Sequence, residues 1–232
     1  MRIASIKYGI VLSNNFYIVK QAYTLLKEKK IIFWDFDGVI KDSVATKTMG
    51  YEKLFLPFGE EVLKKVKRHH AANGGVSRYK KIPLYLNWAG EPTTSLKVQE
   101  FCNQFSSLVQ QAVIDSPWVP GVHEYLKLNY TRQIFIIITG TPQEEITRIL
   151  FKLDITRYFK EVYGAPKTKA TVVNDVLQCL NFLPDQALVV GDSKTDFEAA
   201  KKNNVAFLLR RTPFNQELQK HFQGPSFEYL NS

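Results

Sequence analysis

The stretch Ile31-Ile32-Phe33-Trp34-Asp35-Phe36-Asp37-Gly38-Val39-Ile40-Lys41-Asp42-Ser43 decides how the rest of the chain is read. An apolar run of strand character ends in two aspartates one residue apart, and a glycine comes next. Side chains at i and i+2 of a strand share a face. Asp35 and Asp37 at a strand's carboxyl end are therefore expected to enter one small volume. Like charges so close repel unless a cation or a proton relieves them. Asp-x-Asp-Gly also occurs in ordinary turns, where Asp and Gly are common, so the downstream sequence has to decide between the two.

Working outward, residues 121–209 alternate between strand and helix patterns. Strands are expected at 133–138, 159–163, 187–190 and 205–209, and helices at 142–152, 169–181 and 194–203. The run over 133–138 is continuously apolar, as in a sheet covered on both faces. Val172, Val173, Val176, Leu177 and Leu180 form one helical stripe. This alternation predicts an α/β fold with a doubly wound parallel sheet.

Residues 44–117 break the pattern, with helical periodicity and no convincing strand. Their clearest helix spans 96–113, where Val98, Phe101, Cys102, Phe105, Leu108, Val109 and Ala112 are expected to pack as core. Gly74-Gly75 interrupts the segment, and Pro117 and Pro120-Gly121 close it. The reading is a helical domain inserted after the first strand. The core then comprises 1–43 and 118–232, with 1–30 as an N-terminal extension. Within that extension, residues 14–29 read as a basic amphipathic helix carrying Ile18, Val19, Ala22, Leu25 and Leu26.

Composition bounds the function. The 232 residues, 45% of them apolar and 13% aromatic, suffice for a real core. No apolar run approaches the roughly 18–20 residues of a membrane span, and Ile10-Val11-Leu12 is too short for a secretory signal. A cytoplasmic protein without a membrane partner is expected. Cys102 and Cys179 stand far apart, form no metal or redox motif and read as buried thiols. The formal charge of +9 suits anionic ligands. Its densest run, Lys64 to Arg68, has Glu60 and Glu61 four residues before Lys64 and Lys65, which predicts a self-paired helix. Small phosphorylated molecules are preferred over nucleic acid as partners.

Three further expected strand ends carry polar residues. Thr139-Gly140-Thr141-Pro142-Gln143-Glu144 reads as a helix start, with Thr141 as cap, Pro142 at the first helical position and Glu144 completing a capping box. Gly164-Ala165-Pro166-Lys167-Thr168-Lys169 precedes the next helix, and Gly191-Asp192-Ser193-Lys194-Thr195-Asp196 ends the strand after it. Open parallel sheets bind ligands outside the carboxyl ends of their strands, and all four motifs lie at that edge.

These motifs, in this order, resemble the haloacid dehalogenase superfamily over residues 31–210. The insertion resembles the helical cap of its phosphoglycolate phosphatase and beta-phosphoglucomutase subgroup. Within it, Gly75-Val76-Ser77-Arg78 looks like the specificity loop of the mutase-like members. The resemblance implies a Mg²⁺-dependent phosphatase for a small phosphorylated metabolite, with a sugar phosphate as the expected case. Asp35 would be the nucleophile, forming an aspartyl-phosphate. Asp37 would be the general acid and base, with a pKa kept up beside Asp35. Mg²⁺ would be held by Asp35, Asp192 and the Asp37 carbonyl, with Asp196 supporting from behind. Thr139 and Gly140 would hold phosphoryl oxygens, and Lys169, or else Lys167, would neutralise charge. Arg78 would reach a distal group of the substrate, and Asp42-Ser43 would serve the hinge. A phosphomutase is the alternative, although Lys47 stands where the mutase has a histidine. A non-catalytic phosphate-binding protein ranks third.

Overall fold

The computed structural model describes residues 20–230. Helix α1 covers residues 20–28, with Ala22 and Leu26 buried, while Ile18 and Val19 lie outside the described residues. Strand β1 (Ile31–Trp34) leads into four helices without an intervening strand: α2 (Val44–Phe55), α3 (Glu60–Ala72), α4 (Arg78–Trp88) and α5 (Ser95–Asp115). The chain then runs through α6 (Val122–Asn129), β2 (Ile134–Pro142), α7 (Gln143–Lys152), β3 (Glu161–Ala165), α8 (Lys169–Cys179), β4 (Ala187–Gly191), α9 (Lys194–Lys202), β5 (Ala206–Arg210), α10 (Gln216–His221) and β6 (Ser226–Phe227).

The six strands form one parallel sheet in the order β3-β2-β1-β4-β5-β6. The chain winds outward from β1 through β2 to β3, then returns to β4 and winds the other way. The reversal falls at the β1/β4 boundary, where a crevice opens at the strands' carboxyl ends. Strand parity explains the two-sided core. Ile32 and Trp34 of β1, with Phe135 and Ile137 of β2, face a cluster that includes α1, α6 and α7. Ile31, Phe33, Ile136 and Ile138 face the cluster with Val172, Val173, Val176 and Leu177 of α8.

Between α2 and α5 the inserted helices pack on Tyr51, Phe55, Ile82, Tyr85, Phe101, Phe105 and Val109, which are buried. The buried stripe of α5 is Phe101, Cys102, Phe105, Val109 and Val113. Three residues expected in it are not: Val98 is half-buried against the core, while Leu108 is 41% exposed and Ala112 is exposed, because steps of four residues carry the buried line to Val113 and leave these two on its flank. The two chain segments entering and leaving the insertion run side by side. Asp42 N donates to Pro117 O at 2.8 Å, and Val119 N donates to Ile40 O at 3.0 Å.

Other expectations need correction. Cys102 is buried, but Cys179, at the end of α8, is exposed. Lys64 pairs with both Glu60 (3.8 Å) and Glu61 (3.3 Å), which leaves Lys65 without the expected Glu61 contact. Thr141 does not cap α7. Strand β2 continues through Pro142, pairs with Ala165 after an irregularity, and Pro142 itself precedes the helix. No helix among the described residues is long and apolar enough to cross a membrane.

Candidate active site

Asp35 comes directly after β1. Its amide donates to Val190 O of β4 at 2.9 Å, so the residue stays locked to the sheet, and its side chain is buried. The chain then turns sharply, with Ile40 N and Lys41 N both donating to Phe36 O at 2.9 and 3.1 Å. Gly38 makes this turn possible. Its φ is +79°, and a Cβ there would lie 2.3 Å from Asp192 Oδ2. The glycine of the opening motif thus lets the β4 carboxylate approach the β1 turn.

Asp35, Asp192 and Asp196 offer carboxylate oxygens that lie within 4.8 Å of one another, and all three are buried. Lys169 bridges two of them, with Nζ 2.7 Å from Asp35 Oδ2 and 2.6 Å from Asp196 Oδ1. Thr168 sets that lysine in place: its hydroxyl accepts from Thr171 N at 3.3 Å, which starts α8 with Lys169 in its first turn. Lys167 points elsewhere, 4.9 Å from the Tyr163 ring centroid. Asp196 has both oxygens engaged, since Oδ2 accepts from Ser193 N (3.1 Å) and Ser193 Oγ (2.5 Å). Asp35 is engaged on both oxygens as well, Oδ1 by Phe36 N at 2.8 Å and Oδ2 by Lys169, whereas no hydrogen bond among the described residues reaches the Asp192 carboxylate. Carboxylate oxygens are the donor type Mg²⁺ prefers.

Burial and then the charge of Asp196 push Asp35 up to about 7, against a smaller opposing pull from Lys169. Burial, then the charges of Asp35 and Asp196, raises Asp192 well above the carboxylate range. Burial alone would lower Lys169, but Asp196 and Asp35 outweigh it and hold the ammonium charged. Three acids around one lysine leave an excess of negative charge that a divalent cation would balance.

Asp37 does not join the cluster. The backbone has left the strand at the turn, and the Asp37 carboxylate meets a separate set of donors. Ser43 Oγ donates to Oδ1 at 2.7 Å, Thr141 Oγ1 donates to Oδ2 at 2.9 Å, and Lys47 Nζ ion-pairs with Oδ2. Lys47 also donates to Thr141 Oγ1 at 2.6 Å. Burial would raise this carboxyl, yet Lys47 and the three hydrogen bonds more than offset it, so the pKa is lowered. The expectation of a raised value is overturned by a lysine that arrives from α2, in the insertion.

Thr139 is buried at the end of β2, where its Oγ1 accepts from Thr141 N at 3.2 Å. A Cβ on Gly140 would lie 2.6 Å from Gly75 O, so the loop between α3 and α4 rests directly on this strand end. Arg78 is not brought to the carboxylates. Its guanidinium donates to Glu145 Oε2 and Oε1 of α7, both at 2.7 Å, and to Ser106 Oγ of α5 at 2.5 Å. A cleft of about 260 Å³ beside this pair is lined by Arg78, Ser106, Gln143 and Arg148, and by none of the clustered acids. Asp42 lies 3.2 Å from Arg210, fixing the segment that enters the insertion.

An all-parallel sheet with an acidic rim at its switch point and helices inserted over that rim defines a capped α/β enzyme. Residues 31–209 match the family model described as haloacid dehalogenase-like hydrolase, and the chain belongs to that family. It is similar to a phosphorylated carbohydrates phosphatase of Thermotoga maritima, 27% identical over 75% of this chain and 81% of the relative. A phosphoglycolate phosphatase of Pseudomonas savastanoi is 24% identical over 82% of this chain and 72% of its own. The fold is shared with a subfamily IA hydrolase of the haloacid dehalogenase superfamily from Geobacter sulfurreducens, at TM-score 0.58 and 18% identity, covering 88% of this chain and 93% of that one. By enzyme class the chain is a phosphoric monoester hydrolase of this family.

Proposed function

We propose that the chain is a Mg²⁺-dependent phosphatase that hydrolyses a small phosphorylated metabolite through an aspartyl-phosphate on Asp35. The supporting observation is the buried trio Asp35, Asp192 and Asp196 bridged by Lys169. Asp35, Asp192 and the Asp37 carbonyl would hold Mg²⁺, which when bound would screen the nucleophile from an anionic substrate. Asp35 Oδ1 already accepts from Phe36 N at 2.8 Å, which fixes the carboxylate's orientation for in-line attack on phosphorus. Lys169, Thr139 and the Gly140 amide would take the charge gathering on the phosphoryl oxygens. The phosphorus–oxygen bond of the ester breaks as the Asp35–phosphorus bond forms, and Asp37, ionised in the free chain, would relay to the leaving oxygen a proton that the substrate's monoanion brings with it. Asp37 then takes a proton from the water that cleaves the acyl-phosphate. Lys47, Ser43 and Thr141 hold Asp37 in the ionised form suited to that second step.

Residues 44–117 are read as a cap that opens on the paired linkers near residues 43 and 118, joined by the Asp42–Pro117 and Ile40–Val119 hydrogen bonds. The two free thiols accord with a reducing, cytoplasmic setting. The test is phosphate release from p-nitrophenyl phosphate and a metabolite panel with Mg²⁺. Hydrolysis is expected, and Asp35→Asn should abolish it. Turnover by that variant at the wild-type rate overturns the mechanism.

A further inference from the structure

Of the three clustered acids, Asp192 is held least by its own side chain. Asp35 is oriented by Phe36 N and Lys169, and Asp196 by Lys169 and Ser193. The Asp192 carboxylate is buried against the turn at Gly38, where a Cβ would lie 2.3 Å from its Oδ2, yet it takes no hydrogen bond among the described residues. An aspartate side chain is short, so its carboxylate goes where the backbone beneath it is held.

That backbone is held by a side chain from the next loop. Asn215, between β5 and α10, donates from Nδ2 to Asp192 O at 2.7 Å and to Arg210 O at 2.8 Å. Its Oδ1 accepts from Thr212 N at 2.9 Å and from Gln219 Nε2 at 2.5 Å. Both donor hydrogens and both acceptor lone pairs are used, which fixes the amide's orientation, since a flip would set oxygen against two carbonyls. The far end is firm as well. Arg210 is buried, its guanidinium lies 3.3 and 3.2 Å from the Asp42 oxygens, and its Nε donates to Glu228 O at 3.3 Å. A brace for the loop alone would need only the bonds to Thr212 and Arg210, three and five residues back. The bond to Asp192 reaches 23 residues back, to the end of the neighbouring strand.

We propose that Asn215 is a positioning residue of the metal site, holding the Asp192 backbone so that its carboxylate stays beside that of Asp35. The inference rests on the proposed role of Asp35 and Asp192 as ligands, and it adds a residue that touches neither metal nor substrate. Groups behind a metal's ligands, which orient them, are typically worth about 10- to 100-fold in affinity.

The test needs no turnover. Metal-free full-length chain is titrated with Mg²⁺, followed by the rise in melting temperature, and with Mn²⁺, followed by loss of the free-ion electron paramagnetic resonance signal. Asn215→Ala should weaken both ions by about tenfold or more. Thr212→Val removes only the hydroxyl that accepts from Phe214 N and leaves the Asn215 bonds in place, so its affinity should match the wild type. If Asn215→Ala does not fold, Asn215→Asp decides by the same measure. It keeps the side chain's size but turns an oxygen toward Asp192 O, and the same fall is expected. Wild-type affinity in the folded Asn215 variant overturns the proposal. So does an equal fall in Thr212→Val, which would mean that the loop's general integrity sets the affinity. Failure of the metal-dependent mechanism reads differently, because the wild-type chain itself would then take up neither ion, and the assignment of Asn215 would fall with it.

Discussion

At Asp35 and Asp192 the same burial that excludes water also makes ionisation costly; the charge of Asp196 raises both pKa values further, and that of Asp35 also raises Asp192. Folding thus favours the protonated form of these acids, and metal binding must displace those protons. Linkage sets the sign for stability. Asp35 rises from 3.8 to about 7 on folding, so between those pH values the folded chain holds a proton that the unfolded chain has lost. Its stabilisation is complete below pH 3.8 and gone once pH exceeds about 7. Asp37 has the opposite sign, since its lowered pKa contributes stability above the ordinary carboxylate range that is lost on acidification. Across pH 5 to 8 Asp37 stays ionised in both states. His70 of α3 and Lys81 of α4, whose pKa values burial lowers, gain stability as pH rises through this window and oppose Asp35. Removing the Asp35 titration isolates its share: between pH 5 and pH 8 the metal-free Asp35→Asn variant in EDTA should lose less melting temperature, or gain more, than the wild type. Mg²⁺ should raise the wild-type melting temperature more at pH 8 than at pH 5. Thermal denaturation monitored by circular dichroism, with and without Mg²⁺, checks both, and an identical pH dependence of the two metal-free proteins would contradict the linkage.

At the scale of elements, the site is a set of strand ends held in register by a sheet whose central strands are buried on both faces. That much is legible in local pattern. The runs Ile31–Trp34, Ile134–Ile138 and Ala187–Val190 are apolar without alternation, and each gives way at once to polar residues or glycine. Thr141 illustrates where local pattern stops. Its sequence suits a helix cap, yet pairing of Pro142 with Ala165 extends the strand and turns the Thr141 hydroxyl to Asp37. Cap chemistry and strand pairing compete for the same residue, and a partner 23 residues away in β3 wins. The close approach of Gly140 to the loop between α3 and α4 is equally non-local. Gly140→Ala would place a methyl 2.6 Å from Gly75 O, so the loop must move back. Because displacements near 1 Å cost up to about 100-fold in rate, kcat/KM should fall by roughly 10- to 100-fold while the melting temperature changes little. Steady-state kinetics beside a thermal melt tests this, and an alanine variant as active as wild type would show that the loop does not close on the strand end during turnover.

For the whole molecule, the paired linkers and the seam between α4 and α7 tie cap to core. The linkers carry the covalent link; the seam holds Arg78 and Glu145, 3% and 1% exposed and bonded through both nitrogens of the guanidinium fork. This pair spans 67 residues of sequence, which is why Arg78 reads as a substrate contact when only its neighbours are in view. Lys47 and Ser43 escape for the same reason. Their spacing of ten and six residues from Asp37 means nothing until the turn at Gly38 folds α2 back over the site. By contrast, Asp35, Thr139, Lys169 and Asp192 are each marked by a position just past an apolar run, directly or after a glycine, or at a helix start. Removing either member of the buried pair leaves an uncompensated charge, at a cost of about 3–5 kcal/mol. The hinge offers relief short of unfolding, because swinging the cap away hydrates the charge. Arg78→Met and Glu145→Leu should therefore each lower kcat/KM by one to two orders of magnitude and make the chain easier to cleave in the loop between α3 and α4. The double variant removes both charges and should recover most of the loss. A double-mutant cycle on kcat/KM, run alongside limited proteolysis, measures the coupling directly. If the two single losses simply add in the double variant, the pair does not act as a latch, and cap closure must depend on the loop and the substrate alone.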